Sequence, residues 1–416
     1  MTALIKNVQL EGKITNIYIE GNIIQEIGSS IEADYIIDGE GKVALPGFVN
    51  THTHSAMTLL RGYADDMELH DWLQNKIWPL ERKLNEKDIY WGTKLACLEM
   101  IKSGTTTFND MYSYMEGTAR AVEEMGIRAV ICETFIDLFN REMAEKSKKK
   151  TEKFVKYTRR LKNDRIIPAT GPHAVYTVSE DSLRWVKEYS DENNLLIHFH
   201  LAETKKEDKD CKKKYGKSPV KFLDDIGFLD KNLIAAHCMW FNKGEIEILS
   251  KRGVRIAHNP ISNMKLSSGF MPYPLMKKNN LLVSLGTDGC ASNNNLDMFD
   301  SMKTAAIGHK LVHKDPRVMP ANEIFEIATI NGARVLNLNA GKIEEGRLAD
   351  LILIDLKRPE LTPGHNLISD VVYSANGSCV DTVVCDGRIL MENRKVKGEE
   401  EILDGVKKTV EDLLRR

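Results

Sequence analysis

Along residues 1–45 apolar and polar positions alternate with the two-residue period of strands. Ala3–Leu10, Ile14–Glu20, Ile23–Ile27 and Tyr35–Asp38 each fit one strand, with turns at Gly21, Gly28 and Gly39. Residues 346–416 repeat the pattern, with strands expected at Asp350–Asp355, Val371–Tyr373 and Thr382–Leu390 and a helix at the end. Neither group carries enough apolar surface to stand alone, so the two are expected to join as one small β-sandwich built from both termini. Between them, over residues 46–345, short apolar runs alternate with helical stretches, the signature of a parallel sheet with crossover helices. Eight strands are predicted, beginning at Val43–Val49 and continuing with Thr105–Phe108, Ala129–Phe135, Ile166–Thr170, Leu195–Phe199, Leu233–Ala236, Val254–Ala257 and Leu281–Leu285. Helical patterns at Asp88–Lys102, Gly117–Met125, Glu180–Ser190, Pro219–Asp225 and Lys243–Lys251 separate them. The expectation is an α/β fold, a (β/α)8 TIM barrel carrying the terminal β-sandwich.

The chemistry collects where these strands end. His52 and His54 close the first strand two residues apart, so their side chains share a face and can chelate one metal. The fifth strand runs into His198-Phe-His200-Leu-Ala-Glu203, the sixth into His237, the seventh into His258-Asn-Pro and the eighth into Gly286-Thr-Asp288-Gly. Barrel enzymes draw catalytic groups from the carboxyl ends of several strands, and a random scatter of the 11 histidines would not fall there. His52, His54, His200 and Asp288 make a donor set suited to zinc or iron with a position left for water, whose pKa such a metal lowers toward ~7. Glu203 is placed to shuttle protons to a bound substrate, the bland alternative being a surface carboxylate on a loop. His237 reads as a group that orients or deprotonates the water, or as a hydrogen-bonded residue beneath the site. His198, one layer deeper, reads as a core histidine, and His258 divides evenly between the surroundings of the ligands and the core.

Composition narrows the classes of partner. With 58 basic and 60 acidic residues the formal net charge is −2, which gives no field for nucleic acid or an anionic membrane. Lys148-Lys149-Lys150 reads as part of a solvated helix face. The seven cysteines are scattered, odd in number and contain no C-x-x-C pair, as expected of reduced, buried thiols in a cytoplasmic protein. Met1–Gly21 mixes charged and apolar residues too closely for a signal peptide or a span.

At Pro46-Gly-Phe-Val-Asn-Thr-His-Thr-His54, His200, His237 and Gly286-Thr-Asp-Gly289 the chain resembles the amidohydrolase superfamily. A closer likeness is to the 5-methylthioadenosine/S-adenosylhomocysteine deaminases and 5′-deoxyadenosine deaminases. It rests on Met57–Asp66, Trp78-Pro-Leu-Glu81, Ser103-Gly-Thr-Thr-Thr107, Gly171-Pro-His173 and His258-Asn-Pro-Ile-Ser-Asn263. The resemblance implies that His52, His54, His200 and Asp288 bind one Zn2+, with Fe2+ as the alternative, and that Glu203 and Asp288 act on the purine. It further implies that Glu81 holds the ribose hydroxyls and that His173 contacts the nucleoside; on bare sequence the first is equally a helix-surface carboxylate and the second a turn residue. No lysine stands in the fourth strand, where two-metal relatives commonly carry one, so a single metal is expected. The position tied in bacterial relatives to the carboxylate of S-adenosylhomocysteine falls at Glu133 or Thr134, with Arg141 as a substitute, which points to an uncharged 5′ group. Met239-Trp-Phe241 and Gly269–Pro274 either close over that group or simply pack. The resemblance also implies a homo-oligomer, a tetramer or dimer.

The expected reaction is hydrolytic deamination of a 5′-modified adenosine, with Glu203 protonating N1 while Asp288 and His237 align the attacking water. Its rivals are guanine or cytosine deamination and triazine hydrolysis on the same fold, which would give Glu81 no ribose to hold. A non-catalytic scaffold would have lost ligands, and all four are present. The H-x-E and P-C-x-x-C pattern of the other zinc deaminases is missing.

Overall fold

The computed structural model describes residues 2–28 and 30–416. Eight parallel strands pair in chain order: Phe48–Thr53, Thr105–Tyr112, Arg128–Phe135, Ile166–Pro172, Leu196–Leu201, Leu233–His237, Arg255–His258 and Leu282–Leu285. The eighth is laced back to the first at its carboxyl end. Asp288 N–H donates to His52 O at 2.9 Å, Thr287 N–H donates to Asn50 Oδ1 at 3.0 Å, and Asn50 Nδ2 donates to Thr287 Oγ1 at 2.7 Å. The sheet is thereby nearly closed into a barrel, and the closing bonds lie beside the histidines of the first strand.

Helices predicted between the strands form close to their expected bounds, for example Glu86–Lys102, Glu180–Asn193 and Lys243–Arg252. Their starts have local causes. Asn85 and Asp88 form a reciprocal capping box, as do Asn242 and Glu245, which satisfies amides that the first helical turn leaves unpaired. Their inner faces meet a core containing Phe48, Phe108, Phe135, Phe199 and Phe299, all fully buried, with Phe48 edge-on to Phe299 at 4.9 Å. The lysine-rich stretch lies in helix Arg141–Arg160, which buries only Ala144, Thr151, Phe154, Val155 and Thr158.

The terminal strands meet in a single eight-stranded sheet formed by Thr2–Leu10, Lys13–Glu20, Ile23–Ile27, Tyr35–Asp38, Lys42–Pro46, Leu351–Asp355, Val380–Cys385 and Arg388–Met391. Ile5, Ile17, Ile19, Leu351 and Leu353 pack together within it, so the two ends of the chain share one core. Three expectations change. Val43 belongs to this sheet through the pairing of Lys42–Pro46 with Leu351–Asp355, and the barrel begins only at Phe48. The break falls at Gly47, where a Cβ would lie 2.3 Å from the Thr106 side chain, so the chain can cross between sheets there only without one. Val371–Tyr373 is the end of helix Leu367–Tyr373, because Asn366 caps it by accepting Ser369 N–H at 3.0 Å and a three-residue apolar run has no period of its own. Thr382–Leu390 divides at the Asp386-Gly387 turn.

Barrel and terminal sheet are pinned together by buried charge. Arg128, at the start of the third barrel strand, donates to Asp350 at 3.2 Å and to Asp386 at 2.7 Å, both from the C-terminal part of the chain. Arg128 and Asp350 are each 2% exposed. Arg128→Ala leaves Asp350 without its guanidinium and Asp386 with only the Arg165 guanidinium, at 3.5 Å, and is expected to cost about 3–5 kcal/mol of stability, the range for breaking a buried pair from one side. Denaturant midpoints at constant slope measure it, and a change under about 0.5 kcal/mol would show the network to be idle.

Candidate active site

The strand ends bring His52, His54, His200, His237 and Asp288 to one point. His52 Nε2 and His54 Nε2 lie 3.4 Å and 3.5 Å from Asp288 Oδ1, and His54 Nε2 is 3.3 Å from His200 Nε2. Within His52, His54 and Asp288, and again within His52, His200 and His237, the potential ligand atoms all lie within 4.8 Å of one another. His52, His200, His237 and Asp288 are buried, and His54 is partly so.

The outward-facing nitrogens decide which inward ones carry protons. His54 Nδ1 is 2.6 Å from Met111 O and His200 Nδ1 is 2.9 Å from His173 O. A carbonyl only accepts, so each neutral ring places its proton on Nδ1 and a lone pair on Nε2. His52 Nδ1 meets His198 Nε2 at 2.6 Å, and His198 Nδ1 faces Cys132 Sγ at 4.0 Å, whose thiol points to Asp110 O. Run in one direction, that chain too leaves a bare lone pair on His52 Nε2, an atom that is buried and has no hydrogen-bond partner. Burial pushes His52 down to about 4 and, with its imidazole neighbours, carries His200 well below its ordinary value, so neither ring solves the problem by taking a proton. Three lone pairs converge beside a carboxylate. Burial raises Asp288, but the imidazoles of His52, His237 and His54 gathered against it outweigh that and hold it well below the usual carboxylate range. This donor set fits a divalent metal with imidazole and carboxylate ligands. His237 differs. Its Nδ1 is 2.8 Å from Asn263 Nδ2 and 3.5 Å from Asn259 Nδ2, amide nitrogens that only donate, so its neutral ring keeps the proton on Nε2, 3.9 Å from Glu203 Oε1.

Residues 43–390 match the amidohydrolase family. The chain belongs to that family. It is 50% identical to 5-methylthioadenosine/S-adenosylhomocysteine deaminase 1 of Archaeoglobus fulgidus, over 98% of this chain and 97% of the relative. It is 49% identical to the 5′-deoxyadenosine deaminase of Methanoregula boonei, over 99% and 95%. Among solved structures, an adenosine deaminase from Xanthomonas campestris with bound zinc superposes with a TM-score of 0.93 at 30% identity, covering 100% of this chain and 98% of that one.

In this amidohydrolase a cavity of about 500 Å³ opens from the converging imidazoles and Asp288. Glu81 and His173, expected at the substrate, both line it with His200, Glu203, His237 and Asp288. Glu81 ends helix Trp78–Glu81 directly after a π-turn at Leu73–Ile77, a widening of the helix often found at functional sites. Tyr112 O–H donates to its carboxylate, and burial raises the proton affinity of Glu81. His173 Nδ1 lies 2.9 Å from Thr177 Oγ1; because that hydroxyl donates to Ala174 O, it accepts from the ring Nδ1–H, which leaves the lone pair on Nε2. Burial and Asp288 push Glu203 up to about 8, against the pull of His54.

Other expectations shift. His198, read as a core histidine, touches His52 directly. His258 bonds His309 Nε2 at 3.2 Å and stays outside the donor set. Arg141, Met239–Phe241 and Gly269–Pro274 do not line the cavity; Trp72, Leu73, Trp78, Ile136 and Leu138 supply the apolar cover instead. Trp240 is taken up by Ser268 O, to which its indole N–H donates at 2.8 Å. Glu133 is buried with Lys150 Nζ 3.7 Å away, and Lys150 reaches the cavity from the helix face read as solvated. Sequence reasoning missed Ser262, which donates to Asp288 Oδ2 at 2.6 Å, and Asn263, although both stand in the quoted His258–Asn263 string. His198→Ala removes the acceptor that holds the His52 ring and is expected to weaken zinc binding about 10–100-fold. Competition with a chromophoric chelator measures this, and unchanged affinity would mean that the ring holds itself in place.

Proposed function

We propose that this amidohydrolase removes the 6-amino group of 5′-modified adenosines by hydrolysis, giving the corresponding inosine and ammonia, in the cytoplasm. The substrates meant are 5′-deoxyadenosine, 5-methylthioadenosine, S-adenosylhomocysteine and adenosine. The observation that carries the reading is a half-buried carboxylate, Glu81, in the same cavity as the Glu203 and Asp288 pair and the converging imidazoles. A free base or a triazine has no sugar hydroxyls to offer Glu81. The names of relatives at about half identity over nearly the whole chain support the same reading.

His52, His54 and His200 through Nε2, with Asp288, are the residues that would hold one Zn2+ or Fe2+, which when bound lowers the pKa of a water toward ~7. Glu203 begins protonated, as a buried carboxyl pushed up to about 8 is at neutral pH, and gives that proton to purine N1. Asp288 accepts a proton as the water oxygen bonds to C6, making that carbon tetrahedral. His237 Nε2–H donates toward the same oxygen. Asp288 then passes its proton to the amino nitrogen, the C6–N bond breaks, and the hydroxyl proton returns to Glu203 as the carbonyl forms. His173 accepts a hydrogen bond from the nucleoside through its free nitrogen.

The apolar cover of Trp72, Leu73, Trp78, Ile136 and Leu138 supports a preference for an uncharged 5′ group, and Glu133 offsets the charge of Lys150 nearby. Zinc-loaded protein assayed for ammonia release and loss of adenine absorbance is expected to turn over all four adenosines and not guanine. kcat/KM for 5′-deoxyadenosine and 5-methylthioadenosine should exceed that for S-adenosylhomocysteine; turnover of guanine alone would overturn the substrate assignment. Glu203→Gln keeps the shape but cannot supply the proton, so kcat should fall about 10²–10⁴-fold with metal content unchanged. A Gln variant as active as the parent would remove Glu203 from the mechanism.

A further inference from the structure

Glu203 does not stand on a regular element. It lies between the strand Leu196–Leu201 and helix Lys205–Tyr215, and Ala202 before it has φ 52°, a left-handed conformation that disfavours any residue but glycine. Such a turn does not aim a carboxyl group by itself. Glu207, a buried carboxyl group at 3% exposure with no role in the reaction described above, reaches back to it; burial raises its proton affinity and the two amides it meets lower it. Its Oε1 accepts Ala202 N–H at 2.9 Å and its Oε2 accepts Glu203 N–H at 3.0 Å.

The helix alone does not require this arrangement. Thr204 already caps it by accepting Glu207 N–H at 3.1 Å, and Thr204-Lys-Lys-Glu207 has the spacing of a capping box. In a capping box the glutamate returns to the N–H of the capping residue itself. Here it passes beyond Thr204 to the two residues before, one of which carries the proton. The next strand end grips the same turn from the other side: Cys238 N–H donates to Leu201 O at 2.9 Å and Met239 N–H to Ala202 O at 3.1 Å. The turn is therefore held through its amides by Glu207 and through its carbonyls by the residues after His237, the residue Glu203 faces.

We propose that Glu207 is the positioning residue of Glu203, a two-pronged clamp on the Ala202-Glu203 backbone that sets the reach of the Glu203 carboxyl to the purine ring. The proposal rests on the deaminase reading above. A glutamine keeps the size of Glu207 but offers one acceptor oxygen, so one of the two amides must face an NH2 group; an aspartate keeps both oxygens on a stem one carbon shorter.

The test compares parent, Glu207→Gln and Glu207→Asp as zinc-loaded full-length proteins. For Glu207→Gln we expect kcat to fall about 100-fold, the scale of a misplacement near 1 Å, with KM, metal content and Tm little changed. Affinity for a purine ribonucleoside analogue bearing a tetrahedral hydroxyl-substituted C6 should fall by the same factor, while affinity for the inosine product holds. Amide hydrogen exchange should speed up at Ala202 and Glu203 and not along 205–215. Glu207→Asp should recover part of kcat, and it serves as the test variant if the glutamine form does not fold. A kcat within twofold of the parent, a loss confined to KM, or a loss that tracks Tm or metal content would overturn the proposal. If the parent deaminates none of the adenosines, the reading of function falls instead, and the exchange at Ala202 and Glu203 still reports whether the clamp exists.

Discussion

Three buried imidazole lone pairs aimed at one another and at a carboxylate are unstable by themselves, and the rest of the site is arranged to keep them that way. His52 Nε2 has no partner, and His54 and His200 present unprotonated nitrogens across 3.3 Å. Were the outward nitrogens free, a proton could move inward and relieve the crowding. Met111 O, His173 O and His198 Nε2 prevent this by holding the protons on the far side of each ring. The arrangement becomes favourable when a cation supplies the missing positive charge, which is why a divalent metal accounts for the geometry.

Holding that arrangement demands unusual backbone. Ala202, His237 and Asp288 all have positive φ, at 52°, 74° and 66°, and all three sit where a barrel strand gives way to a loop. Neighbouring strand ends supply the restraint: Asp288 N–H is bonded to His52 O, and Met239 N–H to Ala202 O. Barrel closure and ligand placement are therefore the same set of bonds at this end of the fold. Gly286 shows how little room is left, since a Cβ there would come within 2.4 Å of Asn259 Oδ1 and 2.8 Å of His52 Cβ. The amides that set His237 and the glycine that lets the eighth strand approach the first are parts of one packing solution.

The two halves of the molecule divide the labour. The barrel presents chemistry at the carboxyl ends of its strands, while the terminal sheet meets the opposite end of the third strand through Arg128, Asp350 and Asp386. That network joins residues from distant parts of the chain. The cavity is lined further out by the π-turn before Trp78, the loop after Phe135 and Lys150 of the helix that follows it.

Much of this was legible in the residues themselves. Strand alternation put His52 and His54 on one face, the βα rhythm gave eight strands, and the residues closing them named the donor set and Glu203, because strand ends are local events that short patterns describe. The barrel's first boundary was misplaced at Val43, since an apolar run cannot say which of two sheets it joins; Gly47 decides that only through its contact with Thr106. The helix at Val371 was misread because three apolar residues carry no period. Which ring nitrogen bears a proton, that His198 touches His52, that Glu207 reaches back to Glu203, and that Lys150 rather than Arg141 meets the cavity were decided by the tertiary structure. Each depends on where two segments far apart in the chain, or a side chain folding back on its own loop, come to rest in space. The sequence determined the donors and the scaffold; only the packing of strand ends against one another determined where their protons and lone pairs point.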